Sequence, residues 1–206
     1  MTQIFSDNFN RANEELNASA NWTEDTGDDW DVVGGDHLNN TSSTNPGICR
    51  TTTTAHAALA DVEVSVKNFT AATFDGGPCV RMPAGAGGAE TFYYADVFGS
   101  TFQIYRRDAG TDTAIGAAGS ITLGANKIIK LKATGTGATV TLIGTYDGIE
   151  EVNTTDTSGS RITTAGQTGL LSWISAADAD FDDFSVDDLL VPPGFPAHVL
   201  LPQSVM

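Results

Sequence analysis

Apolar residues recur at every second position along much of the chain, which is the period of a β-strand with one buried face. The clearest case is the segment 58–69, ALADVEVSVKNF, where Val62, Val64 and Val66 alternate with polar residues. Similar segments, separated by turn residues, occur at 30–33, 48–50, 79–82, 91–97, 101–107, 127–133, 138–146, 149–155 and 169–174. About a dozen short strands, with no amphipathic helix longer than two turns, predict an all-β sandwich or barrel.

Two further strand-like segments stand near the ends of the chain. Residues 177–190, ADADFDDFSVDDLL, place apolar Phe184 and Val186 between polar residues, and residues 4–9, IFSDNF, show a similar alternation. A strand at the edge of a domain needs a partner for its backbone groups. We therefore expect the two segments to pair in one sheet and to close the fold.

Turns are predicted where glycine lies between strand-like segments. They fall at Gly34-Gly35-Asp36, Gly76-Gly77-Pro78, Phe98-Gly99-Ser100 and Asp147-Gly148. The run Thr51–Thr54 either extends the preceding strand or forms a linker, and the sequence leaves both open.

The last sixteen residues differ in kind from the rest. Four prolines within 191–206 exclude a helix or a central strand there. The apolar side chains that this segment carries include Phe195, Val199, Leu200 and Leu201. We therefore divide the chain into a domain at 1–190 and an extended C-terminal arm at 191–206, which we expect to lie in a groove of its own domain or of a neighbouring subunit.

The order of these segments resembles that of the concanavalin A-like jelly rolls, which include laminin-G-like and glucanase-type modules. The stretches that carry the resemblance are FSDNFNRANEEL followed by Trp22 and Trp30, then ADVEVSVKNF, GPCVRM, YYADVF with TFQIYRR, KIIKLKATGTGATVTLIGTYDG and GLLSWISAADADFDDFSV. The resemblance spans residues 4–190 and implies a two-sheet antiparallel jelly-roll sandwich. It is a resemblance of strands and turns, so it predicts fold much better than function.

Hydrolases of this group carry a Glu-x-Asp-x-Glu strand that directs two carboxylates into one cleft for acid/base chemistry. No such triplet is present; the nearest approach is Asp61-x-Glu63, and Glu150-Glu151 would point to opposite faces of a strand. The sequence therefore predicts no enzymatic activity.

Several modules of this type hold a structural Ca²⁺ between the first and last strands, because calcium binds six to eight hard oxygen ligands. By that resemblance, Asp7, Asp182 and Asp183 are candidate metal ligands, with help from Asp178 or Asp180. The alternative is a solvated acidic edge that discourages edge-to-edge pairing. No segment has the EF-hand spacing.

Six aromatic residues are candidates for stacking against sugar rings: Phe92, Tyr93, Tyr94, Phe98, Phe102 and Tyr105. Tyr93, Tyr94 and Tyr105 are the proposed ligand-binding residues. The alternative is core packing, which the sequence favours for most of them, since a strand directs every second side chain inward.

The remaining reactive side chains form no recognisable site. Cys49 and Cys79 are expected to be two buried thiols, with a single bridge as the alternative. His37, His56 and His198 lack zinc spacing and a neighbouring nucleophile motif, so we expect surface positions for them.

The charge of the chain restricts its partners. The formal net charge is −16 and the isoelectric point is about 4.2, which disfavours nucleic acid and anionic membrane surfaces. No apolar run is long enough for a transmembrane helix, and the N-terminus lacks the features of a signal peptide.

Two function classes follow from these observations. The first is a non-enzymatic structural or attachment protein of a bacteriophage particle, such as a capsid decoration, fibre or tail-associated subunit. It would be oligomeric or bound to other virion proteins through the arm, and it would lie on the virion surface after assembly in the host cytoplasm. The second is a carbohydrate-binding, lectin-like module, which would be extracellular. A hydrolase ranks third.

Overall fold

A computed structural model of the chain describes residues 1–41, 46–69, 74–84, 90–173 and 180–190. These residues form two antiparallel β-sheets and one 3-10 helix, Leu16–Ala18. The predicted all-β, two-sheet jelly-roll sandwich is therefore confirmed. The C-terminal arm with Phe195, Val199, Leu200 and Leu201 lies outside the described residues.

Within the described part of the chain, no helix has the length and hydropathy needed to cross a membrane.

Within the described ranges, seventeen strands make up the two sheets. In chain order they are β1 (Thr2–Asp7), β2 (Glu14–Glu15), β3 (Trp22–Glu24), β4 (Trp30–Val33), β5 (His37–Asn40), β6 (Gly47–Thr51), β7 (Val62–Asn68), β8 (Asp75–Met82), β9 (Phe92–Phe98), β10 (Thr101–Asp108), β11 (Thr111–Ala114), β12 (Gly119–Ser120), β13 (Lys127–Thr134), β14 (Val140–Tyr146), β15 (Ile149–Asp156), β16 (Gln167–Ser172) and β17 (Asp180–Asp188).

The nine-stranded sheet has the order β15-β14-β13-β7-β17-β5-β4-β2, with β1 also paired to β17. The eight-stranded sheet has the order β11-β10-β9-β8-β16-β6-β3, with β12 also paired to β10. Neighbours in both orders are often distant in sequence, so long connections pass between the sheets, as in Greek-key and jelly-roll folds.

The main core lies between the sheets and follows the alternation seen in the sequence. Val62, Val64 and Val66 of β7 are fully buried, while the residues between them are partly exposed. Gly144 of β14 leaves room for the ring of Phe102 from the opposite sheet, because an added Cβ would collide with that ring. The core thus joins both sheets in one cluster.

The first and last described strands pair as expected. β1 and β17 are antiparallel, with Phe5 opposite Val186 and Asp7 opposite Phe184. Aromatic rings support this junction: Trp22 packs edge-on against Phe184 with centroids 4.9 Å apart. The prediction that the two ends close the sandwich is therefore confirmed.

One predicted turn is wrong. Gly76-Gly77-Pro78 lies inside β8. Gly76 has a φ of +146°, and an added Cβ would collide with the carbonyl oxygen of Leu171 on β16. The glycines therefore allow two strands to approach closely, which is the other common reason for glycine within a sheet.

Two expectations on reactive side chains have different outcomes. Cys49 and Cys79 are both buried and unbridged, as expected. His56 is buried, with 6% of its surface exposed, and not a surface residue as predicted. Its ring nitrogens contact the Thr51 and Thr168 hydroxyls and the carbonyl of Ala57, so its polar atoms are satisfied inside the fold.

Candidate functional site

The eight-stranded sheet carries a groove on the face turned away from the nine-stranded sheet. Its volume is about 290 Å³. The residues that line it, called the outer groove below, are Asp75, Tyr94, Asp96, Phe98, Tyr105, Asp112 and Trp173. They come from strands β8, β9, β10 and β11 and from the residue that follows β16. Five separate parts of the chain therefore converge on one surface.

Strand alternation decides which side chains reach the outer groove. Tyr94 of β9 lies opposite Tyr105 of β10, and Asp96 lies two residues further along β9 on the same face. Tyr93 points the other way, into the core between the sheets, where it is fully buried. Its hydroxyl donates a hydrogen bond of 2.9 Å to Asp156. Of the three tyrosines proposed from the sequence, the structure brings Tyr94 and Tyr105 together and places Tyr93 elsewhere.

Aromatic rings form the floor and one wall of the outer groove. The rings of Tyr94 and Tyr105 are stacked, with centroids 5.2 Å apart and planes inclined by 17°. Tyr94 is almost fully buried and supports Tyr105, which is half-buried. Trp173 is also half-buried, and its backbone N–H donates to the carbonyl of Asp75 at 3.0 Å. Phe98 is 61% exposed at the rim.

Arg107 fixes one side of the outer groove. Its guanidinium carbon lies 5.7 Å from the centre of the Trp173 ring, and its Nη1 donates to Asp112 at 2.7 Å. Tyr94 also forms a hydrogen bond with Asp112. The charge of Arg107 is therefore engaged by Asp112 and the indole face.

Asp75 and Asp96 form a hydrogen-bonded pair of carboxyl groups in the outer groove. Burial raises the pKa of Asp96 to about 8, and the negative charge of Asp75 and its hydrogen bond act in the same direction. Burial also raises the pKa of Asp75. The pair therefore holds one proton at neutral pH, as expected for two carboxyls too close to ionise together.

The tyrosine hydroxyls of the outer groove stay protonated. Burial, followed by the negative charge of Asp112, raises the pKa of Tyr94, and burial followed by Asp96 raises the pKa of Tyr105. The groove thus offers hydroxyl donors, carboxylate acceptors and flat apolar faces within one small volume. Such a mixture suits a ligand with both hydroxyl groups and apolar C–H faces.

A second concavity, of about 500 Å³, lies along the β1–β17 junction. Its lining is mostly polar and consists of Gln3, Ser6, Asp7, Asn8, Asp183, Phe184 and Ser185. Two of the three metal ligands predicted from the sequence, Asp7 and Asp183, therefore lie in one concavity, whereas Asp182 is not part of its lining.

These carboxylates already have partners within the chain. Asp7 accepts hydrogen bonds from Arg11 Nη1 at 2.6 Å and from Trp22 Nε1 at 2.8 Å. Lys67 pairs with Asp182 at 2.5 Å and with Asp183 at 2.7 Å. Across the described ranges, no group of three or more His, Cys, Asp or Glu side chains is arranged to hold a metal ion. Calcium binding by these residues stays a prediction.

Four residues of the outer groove were not predicted from the sequence: Asp75, Asp96, Asp112 and Trp173. A signal for one of them was present, because the alternation in FYYADVF places Asp96 on the same face as Tyr94. The other three depend on which strands are neighbours across the sheet, and a single sequence does not show that.

No protein-family model matches the chain, and no curated protein matches its sequence. Solved structures do match. The carbohydrate binding module CBM66 from Bacillus subtilis has a TM-score of 0.56 at 18% identity, covering 79% of this chain and 91% of its own. A protein of unknown function with a galectin-like fold from Bacillus subtilis has a TM-score of 0.62 at 11% identity, with coverage of 90% and 96%.

An endo-1,3-beta-glucanase from Streptomyces sioyaensis has a TM-score of 0.56 at 14% identity, with coverage of 90% and 93%. The fold is the concanavalin A-like jelly roll. Identities this low establish the fold alone, because one jelly-roll fold supports binding modules and hydrolases alike. The function of this jelly roll has to be argued from its own side chains.

Proposed function

We propose that the protein is a carbohydrate-binding module and that its outer groove holds the glycan. The observation that carries this proposal is the stacked pair Tyr94–Tyr105 beside Trp173, in a groove that also contains Asp75 and Asp96. The fold neighbours support it, since one of them is a carbohydrate binding module.

Each part of the groove has a role in this proposal. Half-buried Tyr105 and Trp173 present aromatic area that is held in place before the ligand arrives, so little conformational entropy is lost on binding. The stack on Tyr94 limits the motion of Tyr105. The carboxyl oxygens and tyrosine hydroxyls then select for the hydroxyl pattern of the sugar.

In this proposal the module binds its glycan without cleaving it. Hydrolysis of a glycosidic bond uses two carboxyl groups about 5–9.5 Å apart, whereas Asp75 and Asp96 hydrogen-bond to each other. The carboxylates nearest to the hydrolase motif in sequence are also engaged elsewhere. Glu63 pairs with Lys130 at 3.0 Å, and Asp61 accepts from the backbone N–H of Gly135 at 2.7 Å.

The virus-particle role has less support. It rests in part on the arm 191–206, which lies outside the described residues, and none of the solved structures named above concerns a virus particle. A lectin-like role on a particle surface would combine both proposals. The location, extracellular or virion surface, stays a prediction that follows whichever role holds.

Glycan binding is tested with an oligosaccharide array followed by calorimetry on the best ligands. Tyr105→Ala and Trp173→Ala should each weaken binding about tenfold or more, because each removes an aromatic contact with the ligand. Ile149→Ala is the control: Ile149 is 65% exposed on β15 of the other sheet, and its loss should leave affinity unchanged. Absence of saturable binding to any glycan would refute the proposal.

A further inference from the structure

The carboxyl pair of the outer groove restricts which glycans fit, and this inference rests on the proposed function. We propose that the preferred ligand is a glycan with a free amino group, whose ammonium hydrogen-bonds to Asp96 and Asp75. The ligand class is thus a cationic amino sugar, as opposed to a neutral sugar or an anionic uronic acid.

The balance of charge in the groove is the first argument. Asp75, Asp96 and Asp112 line it together. Arg107 pairs with Asp112, and among the described residues no cationic side chain forms an ion pair with Asp75 or Asp96. The whole chain adds to this field with its net charge of −16. A carboxylate-bearing sugar would be repelled, and an ammonium group would be attracted.

An unsatisfied acceptor is the second argument. The Oδ1 atom of Asp96 is buried and, apart from the proton that the carboxyl pair shares, it accepts no hydrogen bond from an N–H or O–H group of the described residues. A buried acceptor without a donor costs free energy, and a charged donor satisfies it best. An ammonium group has three N–H donors, so it can reach both carboxyls of the pair at once.

The shared proton is the third argument. Because Asp75 and Asp96 hold one proton between them at neutral pH, they present a single negative charge. An ammonium that binds there takes the place of this proton, which passes to the buffer. Among the described residues, the charged and titratable groups that face Asp96 are Asp75 and Cys79 from β8, Asp112 from β11, Tyr105 from β10 and Tyr94 on its own strand. None of them supplies a competing positive charge.

The test compares three oligosaccharides of equal length: β-1,4-linked glucosamine, its N-acetylated counterpart and a neutral β-glucan. Titration calorimetry at pH 6, in two buffers with different ionisation enthalpies, gives both affinity and proton release. The wild-type protein should bind the amino form at least tenfold more tightly than the acetylated form and should release a substantial fraction of one proton per site.

Asp96→Asn should reduce the preference for the amino form to less than threefold and should abolish proton release, while binding of the neutral glucan persists. Asp147→Asn is the matched control, because it makes the same carboxyl-to-amide change at an exposed turn residue outside the groove. It should retain both the preference and the proton release.

The outcomes separate this inference from the proposed function. Equal affinity for amino and acetylated forms, or an unchanged preference in Asp96→Asn, overturns the inference while the carbohydrate-binding proposal stands. Equally strong competition by lysine amide also overturns it, because the sugar ring would then contribute nothing. If the protein binds none of the three ligands and no other glycan, the proposed function itself is overturned.

Discussion

At the scale of single residues, a buried arginine holds three loops of the sandwich together. The Arg81 side chain is fully buried, and its guanidinium donates to the backbone carbonyls of Ala60, Ile162 and Gly135 at 2.5–2.8 Å. Removal of a charged donor leaves one buried and two half-buried acceptors without this partner, and such a loss costs about 3–5 kcal/mol.

We therefore expect Arg81→Met to lower the free energy of unfolding by about 3–5 kcal/mol in urea denaturation. Arg161→Met is the comparison, because Arg161 also donates to backbone carbonyls but is partly exposed. Its loss should cost about 1 kcal/mol or less. Equal effects of the two substitutions would mean that the burial of Arg81 does not increase its contribution to the free energy of unfolding.

The raised pKa of Asp96 also makes stability depend on pH. The carboxyl has a pKa of about 8 in the folded protein, well above its value in the unfolded chain. Folding therefore takes up a proton between those two values. The contribution of this group is fully present below about pH 4 and is lost as the pH rises towards about 8.

Asp96→Asn keeps a neutral group at all pH values, so it should gain stability relative to the wild type as the pH rises. The melting temperature of the variant minus that of the wild type should grow by several degrees between pH 5 and pH 9. Asp147→Asn should show a flat difference over the same range. A flat difference for both variants would mean that Asp96 is ionised throughout.

At the scale of the strand, close approach of neighbouring backbones limits substitution in β8. Gly76 has no room for a Cβ beside Leu171 of β16, whereas nothing lies within 4 Å of a Cβ at Gly137. We expect Gly76→Ala to destabilise the fold by about 2–4 kcal/mol and Gly137→Ala to be nearly neutral. Thermal unfolding of the two variants checks this, and a neutral Gly76→Ala would show that β8 and β16 can separate without cost.

The same strand shows where sequence-based prediction reaches its limit. Alternation of apolar and polar residues was enough to predict β7 and the pairing of β1 with β17, because a strand that is buried on one face has an apolar residue at every second position. It failed at Gly76-Gly77-Pro78, where glycine marks contact with a neighbouring strand and not a turn. Local pattern does not distinguish these two uses of glycine, since the difference lies in which strand is adjacent.

The outer groove illustrates the same limit. Tyr94 and Tyr105 were candidates from the start because they lie in adjacent aromatic strands. Asp75, Asp112 and Trp173 join them only through the sheet order β11-β10-β9-β8-β16. Pairing between strands that are distant in sequence therefore brings the groove residues together. From the sequence alone, only aromatic residues of β9 and β10 were candidates.

At the scale of the whole molecule, the excess of negative charge raises the question of calcium. If a structural ion joins Asp7 to Asp182 and Asp183, removal by EDTA should lower the melting temperature by several degrees, and excess calcium should restore it. An unchanged melting temperature would leave Arg11 and Lys67 as the cationic partners of these carboxylates and would end the calcium hypothesis.

The boundary between domain and arm gives the last prediction. Among the described residues, the main core runs from Ile4 to Val186, and the pairing of β1 with β17 closes it. Deletion of residues 191–206 should therefore leave the melting temperature and glycan affinity unchanged. If the arm docks on a neighbouring subunit, the mass from light scattering should fall from that of an oligomer to that of a monomer. The same mass with and without the arm would refute a role in assembly, and a large fall in melting temperature would instead place the arm in the fold of its own domain.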